Sequence, residues 1–280
     1  MKKRTKNLTS INDELDCIQN IRSLIKNNYE QLFIAVIIHG SIATGEVVAY
    51  SDFDGLLIVK NEFLNSKKLK EFKRLSMKFI YQFDPLQHHG WFQISQSDLK
   101  KYPQYYLPHE ILDQSKLIYP KNKTMTLDIE FDEAQIDYKK SLIQLMANID
   151  QQMKLDWKSE RMYQLKSFLS KVMLLPSMYY SVINSKGVFK KHSFDLTKSF
   201  FSDEEWDCIV TATYLRTNWR FNLNPFQKII MTQPQRIFRK ITKMYIAPKI
   251  SPEILIKLDD NFFNSLNLHL TKIKADIITL

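Results

Sequence analysis

The chain contains no apolar run that approaches the roughly 20 residues a helix needs to cross a bilayer, which argues against an integral membrane protein. The basic N-terminus, MKKRTKNLTS, lacks a following apolar region and therefore does not resemble a secretory signal. Only two cysteines are present, Cys17 and Cys208, without CxxC spacing, which suits a reducing compartment. Internal repeats and low-complexity segments are missing as well. These absences predict a cytoplasmic protein without a membrane partner.

Acidic residues are fewer than basic ones, and the 280-residue chain has a formal net charge of +10. This balance favours polyanionic partners in general, a description that includes both nucleoside triphosphates and nucleic acids. The lysines are spread along the whole chain, so charge alone does not separate the two. The length allows one large domain or two modest ones, each with its own core.

One stretch, residues 34–59, combines two apolar runs with a turn between them. The first run ends at His39-Gly40-Ser41, as expected of a buried strand that is bounded by a turn. Gly40 lets a ligand approach the main chain closely, and the turn presents N–H groups to an anion such as a triphosphate. Residues 42–48 are predicted to start a short helix.

The second run opens with Asp52-Phe53-Asp54, and ten residues separate Ser41 from Asp52. Residues i and i+2 of a strand point to the same side, so the two carboxylates project together while Phe53 faces the opposite way. Paired carboxylates favour a cation between them, and magnesium takes oxygen ligands that phosphates complete. Asp52 and Asp54 are therefore predicted metal ligands and catalytic residues. The competing interpretation is an ordinary strand that begins with two solvated aspartates.

The arrangement Gly40-Ser41, ten residues, Asp52-Phe53-Asp54 resembles the nucleotidyltransferase superfamily of DNA polymerase β-like folds, including the aminoglycoside and lincosamide nucleotidyltransferases. The resemblance implies that Gly40 and Ser41 hold the β- and γ-phosphates and that the two aspartates hold magnesium. It also implies an α+β fold: an N-terminal domain with a small mixed sheet covered by helices, followed by an all-helical C-terminal bundle.

Residues 61–83 are predicted to form an amphipathic helix that ends before Asp84-Pro85. Residues 86–94 are predicted to form the third strand of the sheet. Its face toward the site would carry Gln87, His89, Trp91 and Gln93, and its core face Leu86, His88, Gly90, Phe92 and Ile94. Most members of the superfamily place a third carboxylate on this strand, and here it contains none. His88 or His89 is one substitute, as ligand or base, although imidazole suits magnesium poorly. Asp84, just ahead of the strand, is another. If neither serves, a non-catalytic domain is the remaining interpretation.

From residue 132 onward the pattern changes to apolar residues at helical spacing, with Pro176 expected to kink one long helix. The predicted helices cover residues 138–153, 160–183, 206–219, 234–245 and 252–277. We therefore predict two domains, a catalytic domain over residues 1–128 and a helical acceptor-binding domain over residues 129–280.

Residues 174–201 are similar to part of the helical C-terminal domain of aminoglycoside-type adenylyltransferases. In that family a Leu-Pro-x-x-Tyr helix is followed by a glycine turn and a lysine that reaches the nucleotide phosphates. The resemblance implies this nucleotide-binding role for Lys190 or Lys191. The other interpretation of this lysine pair is a solvated turn.

Together these patterns predict a magnesium-dependent nucleotidyltransferase that moves a nucleoside monophosphate, AMP from ATP or the equivalent from another NTP, to an acceptor hydroxyl. The expected acceptor is a small molecule such as an antibiotic, and Glu110, His89 or an acidic residue near the linker would act as general base.

Two alternatives remain open. In the first, a nucleic acid or a protein is the acceptor, and the basic surface would contact phosphates through a further set of residues. That set is Arg216, Trp219, Arg220, Arg236 and Arg239. In the second, the chain is a non-catalytic nucleotidyltransferase-fold partner of a toxin–antitoxin pair, which would suit the missing third carboxylate.

Overall fold

A computed structural model of the protein describes residues 1–12, 15–121, 123–154 and 161–279, apart from six side chains within those ranges. These six side chains belong to Gln135, Lys191, Arg236, Lys240, Lys243 and Met244. The chain forms two compact units. The first comprises Met1–Val47, Ser51–Ile136 and Leu223–Ile246, and the second comprises Val48–Tyr50, Asp137–Asn222 and Ala247–Leu280.

The first unit is built on a six-stranded mixed sheet. Its strands are β1 (Lys2–Ser10), β2 (Phe33–His39), β3 (Asp54–Val59), β4 (Phe92–Ser95), β5 (Lys116–Tyr119) and β6 (Thr124–Phe131). Their order across the sheet is β4-β3-β2-β5-β1-β6. Strand β2 runs antiparallel to β3 and β5, β1 runs parallel to β5 and antiparallel to β6, and β3 runs parallel to β4. The predicted mixed sheet is therefore confirmed.

Strand β2 is buried on both faces, which explains its unbroken apolar sequence. On one face Val36 and Ile38 belong to a core that also contains residues of helices α1 (Asp16–Leu24) and α3 (Lys67–Phe83). On the other face Ala35 and Ile37 belong to a second core, which the 96–115 segment helps to close. Between these helices in sequence, a five-residue helix, α2 (Gly40–Thr44), follows β2 directly.

Helix α3 ends where its sequence predicts, but it begins at Lys67 rather than near residue 61, where a separate short 3-10 turn covers Asn61–Phe63. The helix begins after Ser66, whose hydroxyl accepts a hydrogen bond from the Leu69 N–H at 3.1 Å. It ends at Phe83, before Asp84-Pro85, because a residue that precedes proline disfavours the helical conformation.

The second unit is helical, in agreement with the predicted α+β architecture. Its helices are α4 (Tyr138–Lys154), α5 (Met162–Val172), α6 (Leu175–Asn184), α7 (Lys190–Thr197), α8 (Asp203–Thr217), α11 (Pro252–Lys257) and α12 (Asp260–Thr279). The single kinked helix predicted around Pro176 is instead two helices, because the chain breaks after Val172 and the proline lies in the first turn of α6. Among the described residues, no helix combines the length and apolar character that crossing a membrane requires.

Two further helices, α9 (Pro225–Met231) and α10 (Arg236–Ile241), lie in the Leu223–Ile246 segment of the first unit. A π-helical turn, Thr242–Ile246, extends α10. Along the sequence, the chain thus returns to the first unit after Asp137–Asn222 of the second unit. The functional division after residue 128 stays a prediction.

Candidate functional site

The Gly40 turn lies directly against Asp54. Gly40 follows the last residue of β2 and has a φ of +69°, a left-handed conformation that glycine adopts without strain. A Cβ atom at this position would lie 2.5 Å from Asp54 Oδ2. In the sheet, His39 of β2 pairs with Asp54 of β3, which brings the two ends together. Two groups that the sequence predicts for one site, the glycine turn and an aspartate, are therefore adjacent.

Phe53 anchors the Asp52-Phe53-Asp54 run in the core. Its ring is almost fully buried and makes an edge contact with Trp91, with centroids 5.1 Å apart. The Gln87 side chain holds the Phe53 backbone on both sides: Oε1 accepts from the Phe53 N–H at 2.8 Å, and Nε2 donates to the Phe53 carbonyl at 2.9 Å. With Phe53 buried in this way, Asp54 remains partly exposed.

Asp54 contacts a histidine from the segment before β4. His89 Nε2 lies 2.7 Å from Asp54 Oδ1, and both side chains are partly exposed. The predicted site residue His89 is thus beside Asp54, where it contacts a carboxylate. A histidine that is hydrogen-bonded to a carboxylate orients it, and such support around a metal ligand tunes binding.

A second histidine, His39, also neighbours Asp54, although no motif in the sequence singled it out. It is buried, and burial lowers its pKa, an effect that the charge of Asp54 partly opposes and His89 slightly reinforces. His39 is therefore neutral at physiological pH. Its position directly before Gly40 was the available sequence signal.

Strand β4, Phe92–Ser95, is shorter than the strand predicted over residues 86–94. Residues 86–91 lie outside β4, so the two-residue alternation assumed for them does not apply. Leu86 and Trp91, predicted to lie on opposite faces, are both buried. Gln87, predicted to border the site, is buried as well and binds the Phe53 backbone.

Asp84 and Glu110, candidates for the third metal ligand and the general base, make contacts with other residues. Asp84 is buried, and its Oδ1 accepts from the Leu86 N–H at 3.0 Å, closing the turn after α3. Glu110 Oε2 lies 3.4 Å from His109 Nδ1. Throughout the described parts of the chain, no group of three or more His, Cys, Asp or Glu side chains is arranged to hold a metal ion. The two-aspartate magnesium site thus stays a prediction, with carboxylate oxygens that suit this cation in kind.

The predicted lysines lie in the second unit. Lys190 is the first residue of α7 and is partly exposed, while the side chain of Lys191 is outside what the structure describes. Their phosphate role stays a prediction.

Another lysine of this unit, Lys166, is buried without any local sequence signal. Lys166 of α5 is fully buried, with Nζ 5.2 Å from the centre of the Tyr50 ring. The Tyr50 hydroxyl donates to the Lys166 carbonyl at 2.7 Å. A fully buried lysine is rare.

A cavity of about 610 Å³ lies in the first unit, beside the helix that follows the Gly40 turn. Ile42, Ala43 and Gly45 form one wall of it. The remaining lining residues are mostly polar: Thr9, Ser10, Ile11, Asn12, Lys116, Lys123 and Thr124. Its volume is in the range of small-molecule sites.

No protein-family model and no curated protein matches the chain. A similar structure is found among solved proteins. The chain is similar over 79% of its length to 96% of spectinomycin adenyltransferase AAD(9) from Enterococcus faecialis, crystallised with ATP and spectinomycin, at 12% identity and a TM-score of 0.43.

Proposed function

We propose that the protein is a magnesium-dependent nucleotidyltransferase that transfers AMP from ATP, or the monophosphate of another NTP, to a hydroxyl of a small-molecule acceptor such as an antibiotic. The observation that carries the proposal is the contact between Gly40 and Asp54. A Cβ atom at position 40 would collide with an Asp54 oxygen. The turn and the carboxylate therefore fit together only because residue 40 is glycine.

The predicted site residues have separate roles in the proposal. The Gly40-Ser41 turn binds the β- and γ-phosphates, because its backbone N–H groups and the Ser41 hydroxyl suit an anion. Asp52 and Asp54 would hold magnesium, whose charge would offset that of the phosphates. His89 orients Asp54 through the 2.7 Å contact. Lys190 and Lys191 are proposed to bind phosphate.

The transfer itself is an in-line displacement. The acceptor hydroxyl oxygen forms a bond to the α-phosphorus while the bond from that phosphorus to the bridging oxygen breaks. Pyrophosphate leaves with the electron pair, and the hydroxyl proton passes to a base, for which His89 and Glu110 are the proposed candidates. The protein contributes mainly position and charge stabilisation.

The test is a transfer assay with ATP labelled at the α-phosphate, magnesium and a panel of hydroxylated antibiotics. The assay measures label on the acceptor and the release of pyrophosphate. We expect label on one acceptor with the wild type and none with Asp52→Asn or Asp54→Asn. Asp128→Asn is a matched control, because Asp128 contacts Thr5 on the far strand pair of the same sheet. Full activity of an Asp52→Asn/Asp54→Asn double variant would contradict the proposal.

A second candidate is a non-catalytic nucleotidyltransferase-fold protein. The observation that favours it is that Asp84, His88, His89 and Glu110 do not join the two aspartates in a three-ligand group within the described chain. This candidate predicts that ATP raises the melting temperature while no acceptor, including total cell extract, yields pyrophosphate.

A further inference from the structure

The excess of basic over acidic residues is unevenly distributed along the chain. From residue 208 to residue 252 the sequence has eight basic residues and no acidic one, so the rest of the chain has 32 basic and 30 acidic residues. The eight are Arg216, Arg220, Lys228, Arg236, Arg239, Lys240, Lys243 and Lys249. Although lysines are spread along the chain, nearly all of the net charge of +10 thus comes from one segment that lacks acids.

The centre of this segment, Leu223–Ile246, belongs to the first unit, and Arg239 contacts a helix of that unit. The Arg239 guanidinium lies 5.5 Å from the centre of the buried Tyr81 ring of α3. Within the segment, Gln227 Nε2 donates to the Ile246 carbonyl at 2.7 Å, which ties the start of α9 to the end of the helical turn after α10.

Large apolar side chains of the same segment face solvent. Ile237, Ile241 and Tyr245 are 67%, 38% and 65% exposed and recur every fourth residue along α10 and its extension. On α9, Phe226 and Ile229 are 60% and 63% exposed. Residues spaced by three or four share one side of a helix, so each helix has an exposed apolar stripe. We call residues 223–246, with these stripes, the basic apolar surface.

The charge of this surface limits what can cover it. A second copy of the chain that paired through the same surface would bring like charges together without any acidic residue in the segment to offset them. A nucleic acid would match the charge, and Phe226 and Tyr245 could stack on its bases, but Ile229, Ile237 and Ile241 would neither stack on a base nor hydrogen-bond to it. An anionic lipid bilayer matches both properties, because its headgroups attract lysine and arginine while its acyl boundary accepts aliphatic and aromatic side chains.

We propose that the basic apolar surface binds the protein peripherally to an anionic lipid bilayer. This binding is independent of the proposed transferase activity, because none of the surface residues belongs to the Gly40 and Asp54 site. It also differs from a membrane span, because α9 and α10 would lie in the plane of the interface. The proposal therefore departs from the expectation of no membrane partner, which rested on the lack of a spanning segment and of a secretory signal.

The test is sedimentation of the full-length protein with vesicles. We expect it to sediment with vesicles of equal parts phosphatidylglycerol and phosphatidylcholine and not with pure phosphatidylcholine, and to be released by added salt. Ile237→Ser/Ile241→Ser should weaken binding by about tenfold or more, since it removes two inserted side chains. Phe226→Ser/Ile229→Ser tests the α9 stripe in the same way.

A matched control removes two exposed isoleucines outside the segment. Ile256 and Ile278 of the second unit are 72% and 80% exposed, and Ile256→Ser/Ile278→Ser should sediment like the wild type. Melting temperatures verify that the variants are folded. The proposal is overturned if the wild type stays in the supernatant with phosphatidylglycerol vesicles, or if both stripe variants bind as the wild type does. The proposal is also overturned if the protein binds single-stranded RNA tightly, does not bind vesicles, and keeps its RNA binding in both stripe variants. That result would show that the basic residues serve to bind nucleic acid.

Discussion

At the scale of single residues, the site depends on how closely Gly40, Asp54 and His89 approach one another. Gly40 supplies both a left-handed backbone and the space that Asp54 Oδ2 occupies. His89 occupies the other side of the same carboxylate. The orientation of Asp54 is therefore controlled from two directions, and each can be tested alone.

Gly40→Ala should abolish most of the transfer activity, because its Cβ would displace Asp54. Gly45→Ala is the matched control: Gly45 also has a positive φ, of 73°, but a Cβ there would meet nothing within 4 Å. We expect both variants to lose about 1–2 kcal/mol in the free energy of unfolding from backbone strain, measured in urea. Only Gly40→Ala should lose activity beyond that explained by unfolding, and equal activity of the two variants would contradict the close approach.

His89→Leu should reduce kcat/KM by about 10- to 100-fold, as expected when a group that orients a metal ligand is removed. His89→Gln keeps a donor near Asp54 and should recover part of the loss. The measurement is the magnesium dependence of pyrophosphate release, in which the half-saturating magnesium concentration should rise for His89→Leu. An unchanged magnesium requirement with a lost pH optimum would indicate that His89 is the general base.

At the scale of elements, the buried Gln87 holds the chain immediately before β3. Its amide occupies the hydrogen-bonding positions that a neighbouring strand would take, at the point where the segment before β4 is not a strand. A side-chain amide thus replaces one residue of sheet pairing beside the two aspartates.

Gln87→Ala should destabilise the first unit by about 1–3 kcal/mol, because it leaves the buried N–H and C=O of Phe53 without this partner. Gln87→Glu can still accept from the N–H but offers the carbonyl no donor when ionised, so it should not restore stability. Urea unfolding measures both effects. Wild-type stability of Gln87→Ala would show that another group or water satisfies Phe53.

At the scale of the whole molecule, stability should depend on pH through a buried histidine of the second unit. His269 of α12 stacks on Phe201 with ring centroids 4.2 Å apart, and its Nδ1 lies 2.9 Å from the Glu205 carbonyl, to which it donates. Burial lowers the pKa of His269 to about 4, although the Glu205 carbonyl opposes this shift.

Because the pKa of His269 is lower in the folded state than the ordinary value of 6.5, the unfolded chain takes up the proton first as the pH falls. Its contribution to stability is therefore complete above pH 6.5 and is lost progressively between pH 6.5 and about 4, by up to about 3 kcal/mol. His269→Phe should flatten the dependence of the free energy of unfolding on pH over this range, measured in urea. Substitution of the exposed His192 by Phe is the control, and equal slopes for the two variants would refute the assignment.

The local sequence predicted the elements that carry their own signal. The apolar run of β2, the helix that ends before Asp84-Pro85, and the α+β order of the chain are all present. Strand β1 was missed because KKRTKNLTS is polar and basic and has no apolar alternation beyond Leu8. It is a strand because it lies between β5 and β6, and its Lys6 is buried beside Asp113, 107 residues away.

The same distinction applies to the site. By itself, the sequence determined the glycine turn, the two aspartates and their spacing, since all of them lie within fifteen consecutive residues. Only the tertiary structure decided that His89 contacts Asp54, that Gln87 holds Phe53 and that Lys166 is fully buried. The physical reason is that these contacts join residues 34 to 116 positions apart, and a distance of that kind depends on the packing of whole elements, which no local pattern encodes.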